Sequence, residues 1–442
     1  MIVMKFGGSS LASGQRICEV GFIIKSHLHE NPVIVLSAMG KTTDTLLNVG
    51  ERALIEDVDG KEIILFHQKI IEDLGIKPKE VNLLFEELQK VLKGISMLRE
   101  LSSKTKDYLA SFGERLSVRI FAEYLTQQGI NAKYFDAWEL GLRSTSIFTD
   151  AEVLPESYDA IASSLQEVSS SYAYTPIITG FLSKEKNDNI TTLGRGGSDL
   201  TASVIGAAIG AKEIQVWKDV DGLLTTDPLI VPQAMPVSTL SLEEASELAY
   251  FGAKILHPRS IIPVIMKNIP VRIKNSHNPT HEGTVIMKEV DPPFLVRAIT
   301  LKRNITLIDI VSTRMLGQFG FLAHVFRMFE KYGISVDMVA TSEVSISVTL
   351  DNNDGFEELV KELERFSIVQ IKTEKTIISI IGNIQKSSQI LGMGCQKLAE
   401  ENINVQMISQ GASKVNIGFI VNNKEADTCV RTLHKLFFEG NK

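Results

Sequence analysis

The sequence predicts an α/β protein: a mostly parallel sheet flanked by helices, followed by two small ferredoxin-like βαββαβ units. Three observations carry this expectation. At the opening, an apolar strand from Ile2 to Phe6, a helix from about Ser13 to His29 and a second apolar strand from Pro32 to Ser37 make a βαβ unit, whose crossover demands parallel pairing. Glycine and charge then recur just beyond later apolar strands, at Thr191 to Asp199 and at Lys218 to Gly222, on the edge where parallel sheets bind ligands. Finally, the chain beyond Asp291-Pro292-Pro293 repeats itself, Phe321 to Val339 aligning with Ile390 to Ile408 at an offset of about 69 residues.

Length and composition set the bounds. A chain of 442 residues holds two or three domains, because single cores rarely grow further. We expect a catalytic domain over 1–292, a first repeat over 302–374 inserted into a second, and the second built from 293–301 plus 375–442. The net charge of −7 argues against nucleic acid or an anionic membrane as the main partner. Cys18, Cys395 and Cys429 are too few and too scattered for a disulfide framework or a zinc site, and the histidines show no metal spacing. No apolar run approaches the roughly 20 residues that span a bilayer. Met1 runs into IVMKF without a leader, so a cytoplasmic location is expected.

Between the strands the pattern is helical. From Gly60 to Leu109 it is amphipathic, most clearly in Val81 to Ile95, and Phe112-Gly113-Glu114-Arg115 reads as the start of a helix to Gln128, with Glu114 in its first turn. Ala132 to Phe135 and Pro176 to Gly180 are further strands, and Leu242 to Lys254 is a helix stopped by Pro258. In the repeats, the first copy has strands Ile305 to Val311 and Ile368 to Thr373, and the second opens on Thr376 to Ile381 but ends one strand short. The apolar stretch FLVRAITL (Phe294 to Leu301) lies just before the first copy and supplies that strand, which inserts one module in the other.

The most informative stretch is TTLGRGGSD, Thr191 to Asp199. Its glycines permit positive φ and let main-chain N–H groups converge on an anion, while Arg195 offers a planar fork for a carboxylate. The small and apolar run after it opens a helix whose N-terminus also favours negative charge. Lys5, Gly7, Gly8, Ser9 and Ser37 fall on the same sheet edge. Gly40-Lys41-Thr42 is not a P-loop, because Val35 stands where the motif needs glycine. Two lysines, an arginine and several glycine turns suit phosphoryl transfer, where catalysis is positioning plus charge neutralisation. A carboxylate acceptor needs no general base, which fits the lack of an evident catalytic histidine.

KFGGSS, VLSAMGKTTD, FGERLS, TTLGRGGSD, KDVDGLLTTDP, FGAKILHP and GFLAHVF…ISVDMVATSEVS occur in that order. Together they resemble the motifs of the aspartokinases, enzymes of the amino-acid kinase fold with paired ACT domains, over nearly the whole chain. The resemblance implies ATP, with magnesium carried on it, and phosphorylation of the side-chain carboxylate of L-aspartate to 4-phospho-L-aspartate, the first step toward lysine, threonine and methionine. It implies Lys5, Gly8 and Ser9 at the phosphates and Lys218, Asp219 and Lys254 at the nucleotide. Ser37, Thr43, Glu114, Phe181, Arg195 and Ser198 would hold aspartate. Asp199, unable to hold a carboxylate, would orient Lys5 or the substrate ammonium. No dedicated protein metal site is implied.

By the same resemblance, L-lysine inhibits through Met315, Gln318, Phe321, Leu322, Val336, Asp337, Ser342 and Glu343, at an ACT interface of a homodimer or dimer of dimers. Many bacterial relatives have TDVPGIYTTDPR where this chain has KDVDGLLTTDPL, so Lys218, Leu224 and Leu229 replace a threonine, a tyrosine and an arginine; the pattern is nearer the plant-type branch. Two alternatives stand beside this reading: an enzyme of the same fold with another acceptor, which the paired repeats and GRGGSD oppose, and a non-catalytic amino-acid sensor, which the intact set Lys5, Glu114, Arg195 and Asp199 opposes.

Overall fold

A computed structural model describes residues 1–442 except 172–173, 252–255, 291–294, 313–319, 352–354, 411–414 and 440–442. By contact the chain divides into two compact units. One comprises Met1–Leu223, Ser238–Leu242 and Ile255–Val290; the other comprises Leu224–Val237, Glu243–Lys254 and Asp291–Lys442.

The first unit is built on an eight-stranded sheet. Its order is Thr239–Ser241, Thr284–Met287, Val271–Asn275, Ile214–Lys218, Ile2–Phe6, Pro32–Leu36, Thr175–Thr179 and Ala132–Phe135. Every neighbouring pair is parallel except Val271–Asn275 with Thr284–Met287. The central strands IVMKF and PVIVL are buried along their whole length, as expected where helices cover both faces. Phe6, Trp217, Phe112 and Phe121 are among the largest fully buried side chains, and Phe6 stacks on Trp217 with ring centroids 5.8 Å apart.

One helix departs from the expectation. Glu114 does not lie in a first turn but midway along a 25-residue helix, Ser103–Gln127, whose start is capped by the Ser102 side chain accepting from Thr105 N. Gly113 does not break this helix because its bare backbone is packed tightly, a Cβ there falling 2.7 Å from that of Ala38. The shorter helix Leu242–Tyr250 likewise ends before the expected Lys254, which lies outside the described residues.

The second unit holds one six-stranded antiparallel sheet, ordered Met338–Thr341, Ser345–Leu350, Val296–Val311, Ile368–Gly382, Asn416–Asn422 and Met407–Gln410. Where the repeats suggest four separate strands, two long ones run through. Val296–Leu301 pairs with Ile378–Gly382, and Leu307–Val311 with Ile368–Lys372. Register shifts around Ile305, with left-handed Asn304 and Glu374, absorb the junction without ending either strand. Phe294 lies outside the described residues.

Alternation places Ile308, Ile310, Ile346 and Val348 against the helices Phe321–Lys331 and Phe356–Leu363. Ile378, Ile380, Ile417 and Phe419 meet Ser387–Glu400 and Ala426–His434. Ile305, Leu307, Ile377 and Ile420 turn the other way and pack with Phe251, Met338 and Met407. Both faces are buried here, so Thr376 to Ile381 lacks the alternation of a half-exposed strand, and even Thr376 and Ser379 are buried.

Candidate active site

The carboxyl ends of Ile2–Phe6 and Pro32–Leu36 open onto a cavity of about 350 Å³. Its lining includes Lys5, Gly8, Ser37, Thr43, Glu114, Phe181, Ser198 and Asp199, which the sequence had placed at substrate or phosphates, together with Gly194, Gly196 and Gly197 of the central loop. Gly8 is held against the next turn by Gly40 N donating to its carbonyl at 2.9 Å. Gly194 and Gly196 have φ of 68° and 74°, the region that side chains avoid, and Gly196 caps the helix Gly197–Ile209. Phe181 holds a φ of 65° without being glycine, strain fixed by its amide donating to Thr201 Oγ1 and its carbonyl accepting from Leu193 N.

Lys5 and Asp199 form a buried ion pair, Nζ to Oδ1 2.7 Å, with side chains 8% and 9% exposed. Asp199 thus holds the lysine ammonium in a direct ion pair. Glu114 is buried, and its Oε1 accepts from Ala38 N at 3.1 Å while its Oε2 has no hydrogen-bond partner. Burial pushes its carboxyl up to about 8, against the amide bond and the more distant Lys5 charge. An unpartnered buried carboxylate oxygen in the cavity wall is a place for a ligand cation. Lys218 ends the strand beside Ile2–Phe6. Burial lowers its ammonium; Asp199 opposes this and the charge of Lys5 adds to it.

Other expected residues lie elsewhere. Arg195 is exposed: its neighbours Gly194 and Gly196 line the cavity and it does not, and among the described residues it makes no ion pair. Ser9 and Asp219 are exposed outside the lining. Lys41 and Asp44, which the sequence reading left without a role, do line it. Their signal was present, since they sit on the turn and first helical turn after the second strand of the opening βαβ unit.

In the second unit, Met315 and Gln318 lie outside the described residues. Phe321 and Val336 pack against the core of the first repeat, and Leu322 is exposed. Ser342 turns onto Ser345, their hydroxyls 2.7 Å apart, and Glu343 is exposed. Asp337, expected on the lysine-binding surface, is paired within the chain. Its side chain is 4% exposed, with Lys302 Nζ 2.8 Å from Oδ2 and the Tyr250 hydroxyl donating to Oδ1 at 2.9 Å.

Comparison with known proteins identifies the family. The family model described as amino acid kinase family matches residues 1–275, and the ACT domain model matches 308–361 and 378–437. Aspartokinase 1, chloroplastic, of Arabidopsis thaliana is 52% identical over 456 residues, covering 99% of this chain and 80% of the relative. Lysine-sensitive aspartokinase 3 of Escherichia coli is 34% identical over 459 residues, covering 99% of each. The crystal structure of E. coli aspartokinase III with lysine and aspartate superposes with a TM-score of 0.81 at 32% identity, covering 99% of both chains. The same enzyme with aspartate and ADP gives 0.79, covering 99% of this chain and 100% of that one. With both family models matched in order and full-length identity above half, the chain belongs to the aspartokinases.

Proposed function

We propose that this chain transfers the γ-phosphoryl group of ATP to the side-chain carboxylate of L-aspartate, giving 4-phospho-L-aspartate and ADP. A carboxylate oxygen forms the new bond to phosphorus, the bond to the bridging oxygen of ADP breaks, and no proton has to move. The observation that carries the reading is the combination, around one cavity, of a buried Lys5–Asp199 pair with the unpartnered buried carboxylate oxygen of Glu114. Lys5 and Lys218 meet the phosphate charge, Glu114 takes the substrate ammonium, and Arg195 closes on a substrate carboxylate from the loop above. Ser37, Thr43, Phe181 and Ser198 complete the aspartate pocket, with Gly8, Ser9, Asp219 and Lys254 at the nucleotide. Magnesium bound with ATP would supply neutralisation of phosphate charge beside Lys5 and Lys218. Among the described residues no group of three His, Cys, Asp or Glu is placed to hold a metal.

Incubation with ATP, aspartate and hydroxylamine tests the reaction. An aspartyl hydroxamate is expected; glutamate serving as well as aspartate, or no hydroxamate at all, would overturn it.

We assign inhibition by L-lysine to the first repeat. The support is Asp337, which already binds a lysine ammonium, that of Lys302, with Tyr250 completing the contact. Lys302 also lies 2.9 Å from Asp351, so it has a second acceptor when an external lysine takes Asp337. Met315, Gln318, Leu322, Ser342 and Glu343 complete the proposed surface. The effector acts by favouring one of two states. Exposed Leu322, Val339 and Ile408 offer apolar surface for a dimer, or dimer of dimers, through these modules; light scattering reads its mass.

No helix among the described residues is long and apolar enough to cross a membrane. The three free cysteines suit a reducing compartment, which we take to be the cytosol.

A further inference from the structure

Asp107 lies two turns before Glu114 on the same face of the helix Ser103–Gln127 and is likewise buried, at 1% exposure. Its carboxylate accepts three hydrogen bonds. Thr149 N and Thr192 N donate to Oδ2 at 2.9 and 3.0 Å, and the Thr192 hydroxyl donates to Oδ1 at 2.7 Å. Burial raises its carboxyl, opposed by these same bonds.

Both donors belong to segments that meet the central loop. Thr192 is the last residue of the strand Ile190–Thr192, and Leu193, Gly194 and Arg195 follow at once. Its carbonyl accepts from Ala151 N at 2.9 Å, which closes a ring of bonds through 149–151, Thr192 and Asp107. Thr149 is left-handed, with φ 72°. Asp150 beside it is paired with Arg259 at 2.8 Å and sits so close to Gly194 that a Cβ there would fall 2.3 Å from Asp150 Oδ1. The point from which the arginine loop springs is thus set by one buried carboxylate.

We propose that Asp107 is a positioning residue for substrate binding: by pinning Thr192 and Thr149 it holds the Gly194–Gly197 loop where Arg195 can close on the aspartate carboxylate. The inference rests on the reading that this loop binds aspartate.

The test is Asp107→Asn in the full chain, whose amide keeps the shape but turns one acceptor into a donor facing donors. KM for aspartate should rise about tenfold, with kcat and KM for ATP within about twofold, and amide exchange should accelerate at 192–197 but not across the sheet. Thr192→Val removes the hydroxyl bond alone and should raise aspartate KM about threefold; it carries the test if the asparagine variant does not fold. An unchanged aspartate KM, or equal rises for aspartate and ATP, would show Asp107 to be ordinary core and overturn the inference. Arg195→Ala separates the two failures. If it raises aspartate KM while Asp107→Asn and Thr192→Val do not, the substrate reading stands and the positioning role falls; if it leaves aspartate KM unchanged, both fall.

Discussion

The parallel-sheet cavity and the regulatory sheet each contain a lysine–aspartate pair of nearly the same length, 2.7 Å for Lys5–Asp199 and 2.8 Å for Lys302–Asp337. Their surroundings differ, and the difference separates their roles. Lys5 and Asp199 are both under a tenth exposed and open onto a cavity, with Glu114 and Lys218 within electrostatic reach. There, on the proposed reading, the aspartate aims a cation at an arriving anion. Lys302 is partly exposed, shares itself between Asp337 and Asp351, and lies with its ammonium 5.5 Å from the centre of the Tyr250 ring. Here the cation occupies the aspartate, and under the proposed assignment a ligand of like charge has to compete for it. A buried pair is by itself a poor guide to stability.

The comparison breaks most readily at Lys5. Lys5→Met removes the cation that we set against developing phosphate charge, and kcat should fall by about a thousandfold; because Asp199 is left buried without this partner, stability falls too, and a thermal melt checks that the variant is folded at the assay temperature. A fall below about tenfold would reduce Lys5 to a structural partner of Asp199.

Glu114 gives the next largest effect, read as pH dependence. Burial pushes its carboxyl up to about 8, so it is protonated near pH 6, and the substrate ammonium prefers the ionised form. KM for aspartate should therefore fall as pH rises from 6 to 8, by at most about tenfold per unit, and level off above. In Glu114→Gln that slope should vanish. The sign for stability is the reverse: a carboxyl raised in the folded state favours folding at low pH, and its contribution is lost as pH climbs through the ordinary carboxyl range to about 8. Thermal melts of the ligand-free protein across that range check it against the glutamine variant.

The smallest effect belongs to the regulatory pair. Lys302→Met frees Asp337 and should lower the lysine concentration for half-inhibition by about threefold, since a partly exposed pair is worth roughly 1 kcal/mol or less. Asp337→Ala should raise it. Shifts in the same direction for both variants would show that Lys302 does not compete with the effector.

Much of this was legible in the chain. TTLGRGGSD announced an anion loop because glycine's tolerance of positive φ is local chemistry, and Gly194 and Gly196 adopt it. Lys5, Gly8 and Ser37 were readable because a strand's carboxyl end is set by alternation and the following turn. Glu114 was misplaced by the glycine before it, since a mid-helix glycine looks like a boundary until the helix packs closely on Ala38. Lys41 and Asp44 were passed over when the P-loop pattern failed, although their position relied on no P-loop. Asp107 gave no signal at all, because its three donors lie 42 and 85 residues away.

By itself, then, the sequence determined the parallel sheet, the repeated modules, the glycine turns and the set of charges gathered at one edge. These depend on periodicity and backbone permissiveness, which a few neighbouring residues express. Only the tertiary structure decided that Asp199 holds Lys5, that Glu114 is buried with an oxygen unpartnered, that Asp337 is already occupied by Lys302, and that two strands run unbroken through both repeats. Each of these is a matter of which distant group removes water from a charge, or satisfies a backbone bond, and neither partner carries that information in its own stretch of chain.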